Sequence, residues 1–368
     1  MSQLIRHVFN ALGVLCITLP ANAQLKQPAY IAPRQYHCYQ SPAPVKIDGK
    51  FDEKAWSQAA WSDDFTDIEG DKQPKPAMRT RLKMLWDNQY LYIAAEMEDQ
   101  NIWATLHQHD TIIFLDNDFE VFIDPNGDTH HYFEIEINPL NTIMDLFMPK
   151  PYRDGGDALM NWDAHGMRTA VQIEGTLNKA GDKDKKWTVE MAIPFSALSF
   201  FNQKATPPKE NSFWRINFSR VEWDTDIVNG KYVKRRDKAT GKSLPEHNWV
   251  WSPQGIIDMH APEKWGYIFF VKQPSGSPAV ALPLPAMEQA KEYLWQIYRK
   301  QRDYKREHSK YATTLTALGL SEGPVKENGL TYSLQLEALS DQYTATIRTE
   351  NSTESCSINQ EGKISQKH

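Results

Sequence analysis

Carboxyl side chains alternate with apolar residues along two neighbouring segments, residues 119–124 and 131–138. A period of two places the acids and the apolar set on opposite faces of a β-strand. Residues 125–128 supply a turn between the segments, with Gly127 available for a positive φ. The sequence therefore predicts a hairpin whose non-core face carries Glu120, Glu134, Glu136 and Asn138. Such a face is either wet or built to hold a ligand, since carboxylates accept hydrogen bonds from hydroxyl groups.

Aromatic residues on loops extend this pattern toward a saccharide site. A sugar ring stacks its apolar C–H face on an aromatic side chain, while its hydroxyls need donors and acceptors at fixed places. Residues 213–221 also alternate, which puts Arg215 and Asn217 opposite their apolar set. We predict a site floored by Glu120, Glu134 and Asn217, with Glu136 and Arg215 as further contacts. The loops offer Trp103 and, closing over the floor, Trp162 and Trp249, unless each ring packs its own loop.

The same acids leave a second function class open, that of a glycoside hydrolase acting on O-glycosyl bonds. Retaining hydrolases place two carboxyls about 5–5.5 Å apart, and inverting hydrolases about 6.5–9.5 Å. Glu120 and a cross-strand neighbour lie ~5 Å apart, and Glu134 and Glu136 on one strand lie ~7 Å apart. Strand geometry supplies both spacings by chance, and the chain has no nucleophile motif, phosphate loop or dinucleotide fingerprint. Binding is therefore favoured over catalysis.

The charge of the chain and its first residues bear on partners and location. A formal net charge of -6 at pH 7 argues against a nucleic-acid partner. Residues 1–23 are typical of a secretory signal peptide, with an apolar run followed by a small-x-small cleavage site at 21–23. That run is shorter than the ~20 residues of a membrane span, and no other segment is apolar enough. We expect a secreted or periplasmic protein without a membrane span.

Short alternating segments separated by turn residues recur between residues 40 and 272. They are 45–49, 82–86, 90–97, 119–124, 131–138, 187–193, 213–221 and 266–271. With no long helical pattern among them, they predict a mainly β fold, an antiparallel β-sandwich of the jelly-roll type. Residues 24–39 read as an extended lead-in, 273–285 as a linker, and 286–368 as a small α+β module with a helix over 286–310. Whether Cys38 and Cys356 form a disulfide is open.

The ordered set of these motifs resembles the family-9 carbohydrate-binding modules. The segments that carry the resemblance are VKIDG at 45–49, LWD at 85–87, NDFEVFID at 117–124, WTVEMAIP at 187–194 and KWGY at 264–267. The resemblance covers about residues 40–272. It implies a β-sandwich with structural calcium and a site for a poly- or oligosaccharide. It also implies an exported protein linked to polysaccharide-degrading enzymes.

Carried over to single residues, the resemblance transfers the fold better than the sugar site. The family holds its sugar between two Trp rings, and these positions fall here near Phe114 and near Met259 or His260. The family's strand Glu matches Glu120, and its strand amide is matched by Asn217. A basic contact of the family falls near Glu136, which is an acid. The expected ligand is a glycan, bound here or elsewhere on the chain.

Two cofactors follow from the resemblance and from related sandwiches. The resemblance implies calcium in the loop that enters the Glu120 strand, where hard oxygen ligands are available. These are Asp99, Asp116, Asn117 and Asp118. Haem, which related sandwiches hold with His and Met ligands, is a less favoured alternative. It would have to be non-covalent, because the chain has no C-x-x-C-H motif.

Overall fold

The computed structural model describes residues 32–200, 207–327, 329–350 and 353–367, which form nineteen β-strands and two α-helices. The predicted signal peptide, residues 1–23, and residues 24–31 of the lead-in lie outside them. The first fourteen strands are β1 (Gln35–Gln40), β2 (Thr66–Asp67), β3 (Thr80–Trp86), β4 (Tyr90–Glu98), β5 (Asp118–Asp124), β6 (Tyr132–Ile137), β7 (Ile143–Met148), β8 (Arg168–Glu174), β9 (Lys186–Pro194), β10 (Phe213–Glu222), β11 (Thr225–Val228), β12 (Lys231–Lys234), β13 (His247–Val250) and β14 (Gly266–Pro274). Helix α1 (Lys54–Gln58) lies between β1 and β2. The remaining elements are α2 (Ala286–His308), β15 (Val325–Glu327), β16 (Leu330–Ala338), β17 (Tyr343–Thr349), β18 (Ser355–Asn359) and β19 (Ile364–Lys367).

One long sheet carries most of the first fourteen strands. Its order is β7-β6-β5-β10-β14-β1-β3-β4-β9-β8, and β13 pairs with both β10 and β2. Neighbours are antiparallel except β1, which runs parallel to β14 and to β3. The sheet curls so that its two halves share one core, and the core residues from both halves include Leu82, Met84, Ile93, Val121, Phe133, Ile135, Met191 and Phe218. The prediction of a mainly β sandwich is confirmed.

Most of the alternating segments form strands close to where the pattern placed them, but seven of the first fourteen strands were not predicted. Strand β1 falls in the predicted lead-in, but it pairs with β14 along most of its length. The other six are β2, β7, β8, β11, β12 and β13. The segment Val45–Gly49 was expected to be a strand and is an irregular loop instead. Its place is fixed by Glu190 on β9, whose carboxylate accepts the amides of Asp48 and Gly49 at 2.9 and 2.8 Å and the Trp56 indole at 2.8 Å.

The acidic face of the β5–β6 hairpin is covered, so the interpretation of a plain wet face is wrong. Every residue of both strands is buried. A second apolar cluster packs over this outer face, and it consists of Ile113, Phe122, Tyr132, Met144, Leu146, Met148 and Trp265. The loop from Ser252 to Trp265 and the short 3₁₀ helix Ile113–Leu115 bring their residues onto the hairpin. Carboxyl groups therefore lie beneath a protein layer rather than in water.

The C-terminal elements form a helix packed on an antiparallel sheet, as the sequence predicted. Strands β15 to β19 pair in sequence order, and α2 packs against β17 and β18. This unit touches the sandwich directly, because the Ile364 amide donates to the Asp128 carbonyl at 3.0 Å and the Thr129 hydroxyl donates to the Gly362 carbonyl at 2.7 Å. Cys38 and Cys356 are both buried free thiols. Among the described residues, no helix is long and apolar enough to cross a membrane.

Candidate functional site

A cavity of about 320 Å³ lies above the outer face of β5 and β6. Its floor carries Glu120 from β5 and Glu134 and Glu136 from β6. Apolar side chains form the walls and the mouth, and they include Ile112, Phe114, Phe122, Met144, Leu146, Tyr152, Ile257 and Met259. Several of those at the mouth are open to solvent, among them Ile257 with 73% of its surface exposed. The cavity thus joins a carboxylic floor to an apolar, partly exposed rim.

Strand register brings the three floor acids together. Glu120 lies directly opposite Glu136 on β6 and opposite Ser219 on β10. Glu134 and Glu136 lie two residues apart on the same face of β6. Glu136 Oε2 also accepts the Phe114 amide at 2.9 Å. One oxygen of Glu120 and one of Glu134 are buried without a hydrogen-bond partner among the described residues.

Burial and mutual repulsion shift the ionisation of these groups. Burial, followed by the nearby Glu120, raises the pKa of Glu134 from its ordinary value of 4.5 to about 8. The pKa values of Glu120 and Glu136 are also raised well above 4.5, in each case by burial and then by a neighbouring carboxyl. His260, whose Nε2 lies 3.6 Å from Glu134 Oε2, has its pKa lowered to about 4 by burial and Arg153. Glu134 therefore holds a proton at neutral pH.

Two residues predicted as contacts lie outside the cavity and position its wall instead. Asn217 is fully buried, donates to the Ser252 carbonyl at 3.0 Å and accepts the Ser252 amide at 2.9 Å. Arg215 donates to the carbonyls of Glu263 and Trp265 at 3.1 and 2.8 Å. Both side chains thus fasten the two ends of the loop that carries Met259 and His260 into the cavity. The prediction of a floor that includes Asn217 is wrong, because the Ser252–Trp265 loop covers it.

The three predicted stacking rings also lie elsewhere. Trp162 packs in the core against Phe133, with ring centroids 4.8 Å apart, on the opposite face of the sheet. Trp103 is buried in a small cluster with Val221 and Trp223. Trp249 is buried in the core, and its edge lines a separate, larger cleft of about 560 Å³. The prediction that Trp162 and Trp249 close over the acids is wrong.

The residues that do form the rim come from loops that are distant in sequence. They are Ile112 and Phe114 before β5, Tyr152 after β7, and Ile257, Met259 and His260 before β14. Tyr152 and His260 meet edge to face, with ring centroids 4.5 Å apart. Phe114 and Met259 or His260 are the positions where the family resemblance placed its two clamping rings. The resemblance was therefore the one signal in the sequence that pointed to this rim.

The four residues proposed as calcium ligands are divided among different contacts. Asp116 accepts the amides of Thr105 and Leu106 at 2.7 and 2.8 Å. Asp99 lies 3.6 Å from the buried Arg220, and the Asn117 side-chain oxygen accepts the Trp223 amide. Asp118 points the other way, and its carboxylate converges with those of Glu120 and Glu136 to within 4.8 Å. The four ligands therefore do not surround one point, and calcium binding stays a prediction.

The chain is similar to several known proteins. An exoglucanase, XynX, from Acetivibrio thermocellus is 26% identical over 178 residues, which are 48% of this chain and only 13% of the enzyme. Two solved structures to which the chain is similar are a candidate carbohydrate-binding protein from Bacteroides uniformis and a family-9 module from Caldicellulosiruptor kristjanssonii in complex with cellotriose. The first is 14% identical, covers 65% of this chain and 100% of its own, and has a TM-score of 0.47. The second is 15% identical, covers 68% and 100%, and has a TM-score of 0.39.

A model of the carbohydrate family 9 binding domain-like family matches residues 47–249. The matched range includes the Glu190-bound loop, the β5–β6 hairpin with its three floor acids, and β10. It ends before the loop that supplies Met259 and His260 and before the C-terminal helix and sheet. Because the match spans more than half of the 368 residues, the chain belongs to the carbohydrate family 9 binding domain-like family.

Proposed function

We propose that this protein is an exported carbohydrate-binding protein that holds one end or one unit of a poly- or oligosaccharide in the acidic cavity. The observation that carries the proposal is the pairing, in one cavity, of partnerless buried carboxyl oxygens with an apolar rim. A sugar unit needs both, since its C–H face packs on apolar side chains while its hydroxyls require donors and acceptors. A volume of about 320 Å³ also lies in the usual range for small-ligand sites.

The floor acids suit hydroxyl groups in either protonation state. A protonated carboxyl donates one hydrogen bond and accepts others, and an ionised carboxylate accepts only. Sugar hydroxyls do both, so they satisfy the oxygens of Glu120 and Glu134 that the protein leaves without partners. The gain is large because an unpaired buried polar group costs about 1–3 kcal/mol.

A link to polysaccharide degradation is part of the proposal. The matching segment of the exoglucanase is a small part of that enzyme, as expected for a binding domain attached to a catalytic one. We infer that the protein acts beside polysaccharide-degrading enzymes, outside the cytoplasm.

Export is supported by the apolar run and the cleavage-site pattern of residues 1–23. Mass spectrometry of the exported protein should find Gln24 at its N-terminus, and a chain that retains Met1 would contradict export by this route.

The binding site is tested by titrating glycans that an array selects. Glu120→Gln should weaken binding by about 1.5–3 kcal/mol, because it replaces a charge-assisted or donating carboxyl with an amide of the same shape. Ile257→Ala should weaken it by roughly 1 kcal/mol through lost apolar contact at the rim. The control is Ile227→Ala, since Ile227 is 55% exposed on the β11–β12 hairpin and lies outside the cavity.

Three results would redirect the proposal. Unchanged affinity in a folded Glu120→Gln variant would place the sugar elsewhere on the chain. Release of reducing ends from an oligosaccharide, abolished by the same substitution, would make the protein a glycoside hydrolase that uses two of the floor acids. Absorbance in the Soret region of the purified protein would revive the haem alternative.

A further inference from the structure

The cavity brings several acids together, and a neutral sugar supplies no positive group to pair with them. Five acids line it, and they are Glu120, Glu134, Glu136, Glu246 and Asp258. None of the described residues that line it is Lys or Arg. The three floor acids are 4%, 4% and 1% exposed, so water does little to stabilise their charges. Gathering carboxyls in such a place is costly unless a positive group offsets them.

The positive groups around the cavity have other partners or are neutral. The Arg153 guanidinium donates two parallel bonds of 2.9 Å to Glu263, which is the strongest geometry for such a pair. Arg215 binds two loop carbonyls and lies near Glu288 of the C-terminal helix. His260 contacts Glu134 but is held neutral by its burial. Among the described residues that line the cavity, no Lys or Arg faces the floor acids.

We propose that the ligand itself supplies the cation, and that the cavity recognises a saccharide unit with a free protonated amino group, such as a 2-amino-2-deoxy sugar, seated on Glu120, Glu134 and Glu136. This inference rests on the proposed function and names the class of sugar. The ammonium group takes the floor, and the sugar ring lies between the apolar walls.

The geometry suits an ammonium group. A primary ammonium donates three hydrogen bonds of about 2.8 Å, and its tetrahedral shape holds the three acceptors roughly 4.6 Å apart. One carboxylate oxygen from each of Glu120, Glu136 and the neighbouring Asp118 lies within 4.8 Å of the other two. Glu134 lines the same cavity and has a buried oxygen without a hydrogen-bond partner among the described residues. The amine thereby reaches the oxygens that the protein leaves without partners.

A divalent metal ion is the competing occupant, and the surroundings favour it less. Calcium takes six to eight oxygen ligands. Beyond its acids, the cavity near the floor offers side chains such as Phe122, Met144 and Leu146, which supply no oxygen. An ammonium group needs only its three acceptors, and the carbon skeleton attached to it packs on these apolar walls.

The test compares three trisaccharides on the full exported chain by isothermal titration calorimetry at pH 6.5. They are a β-1,4-linked glucosamine trimer with free amines, its N-acetylated counterpart, and cellotriose, in which a hydroxyl stands where the amine is. We expect the free amine to bind about tenfold or more tightly than cellotriose, the gain of a charge-assisted hydrogen bond.

Substitutions then locate the amine. Glu136→Gln should bring the affinity for the glucosamine trimer close to the affinity for cellotriose measured on the same variant, with Glu134→Gln as a second variant if the first fails to fold. The control is Glu174→Gln, since Glu174 is exposed at the end of edge strand β8.

Equal affinity of the parent protein for the glucosamine trimer and cellotriose would overturn this inference but would leave the proposal of sugar binding intact. Failure of all three to bind would remove the proposed function with it. Binding of calcium chloride alone, lost in Glu136→Gln, would make the floor a metal site and also overturn the inference.

Discussion

Glu134 is buried beneath a protein layer and lies near Glu120, and this makes the ligand-free protein sensitive to pH. The pKa of Glu134 is 4.5 in a solvated chain and about 8 in the folded protein. A group with a raised folded pKa holds its proton in the native state after the unfolded chain has lost it. Its contribution to stability is therefore complete below pH 4.5 and is lost as the pH rises toward 8.

We expect the thermal midpoint of the ligand-free protein to fall between pH 5 and pH 8, and Glu134→Gln to flatten that fall. Circular dichroism melts at intervals across this range measure it. The control is Glu210→Gln, an exposed site whose melts should follow the parent protein. A slope that is the same in parent and Glu134→Gln would show that this carboxyl does not carry the effect.

At the scale of single residues, strand alternation predicted the acids of the floor, whereas only the family resemblance pointed to the rim. Glu120, Glu134 and Glu136 share a face because strand alternation is local, so the sequence predicts their proximity without any tertiary information. Tyr152 and His260 meet only because two loops converge over the hairpin. In the sequence, loop aromatics such as Trp162 were equally good candidates for the rim. In the structure, Trp162 packs against Phe133 instead.

Among the elements, the loop Val45–Gly49 depends on one side chain of β9. Glu190 accepts two of its backbone amides and the Trp56 indole. Glu190→Ala should lower the free energy of unfolding by about 3 kcal/mol, because it leaves three buried or part-buried donors unpaired. Urea denaturation measures this loss. Glu174→Ala, which removes only an exposed partner of Lys186 at 3.2 Å, should cost little.

The apolar pattern of each strand explains which elements the sequence could reveal. Segments that are apolar on one face only, such as those of β4 and β9, show their period plainly. Strand β7 carries apolar residues on both faces, so its alternation is weak. Strand β8 is an edge strand with mostly half-buried residues. Strand β1 is stabilised as a strand by its pairing with β14 and β3, which the sequence of β1 alone does not reveal.

Across the whole molecule, the C-terminal unit supports one wall of the cavity. Tyr152 belongs to the 3₁₀ helix Tyr152–Asp154, and Asp154 accepts a hydrogen bond from Tyr298 on α2. Arg302 of the same helix donates to the Tyr298 hydroxyl at 2.8 Å. The C-terminal unit thus holds the segment from which Tyr152 reaches His260, although it lies outside the range matched by the family.

Tyr298→Phe should therefore weaken sugar binding, while destabilising the protein by only about 1 kcal/mol for one lost hydrogen bond. Paired titrations and thermal melts separate these two effects. The matched control is Tyr304→Phe, since Tyr304 stacks on His308 near the end of α2 and should leave affinity unchanged. Equal affinity in Tyr298→Phe and the parent would show that the wall stands without this support.

The parallel position of β1 has a consequence for how the chain completes its fold. Residues 35–39 pair with residues 267–271, so the middle of the long sheet joins the first described strand to the last strand of the sandwich. A chain that leaves a narrow channel N-terminus first exposes β1 long before its partner emerges. Until residue 271 is free, β1 keeps an unpaired edge, which is a template for pairing with other chains. Closure of such a distant pair is slow, and a holdase chaperone that covers the early strand would protect the chain during that interval.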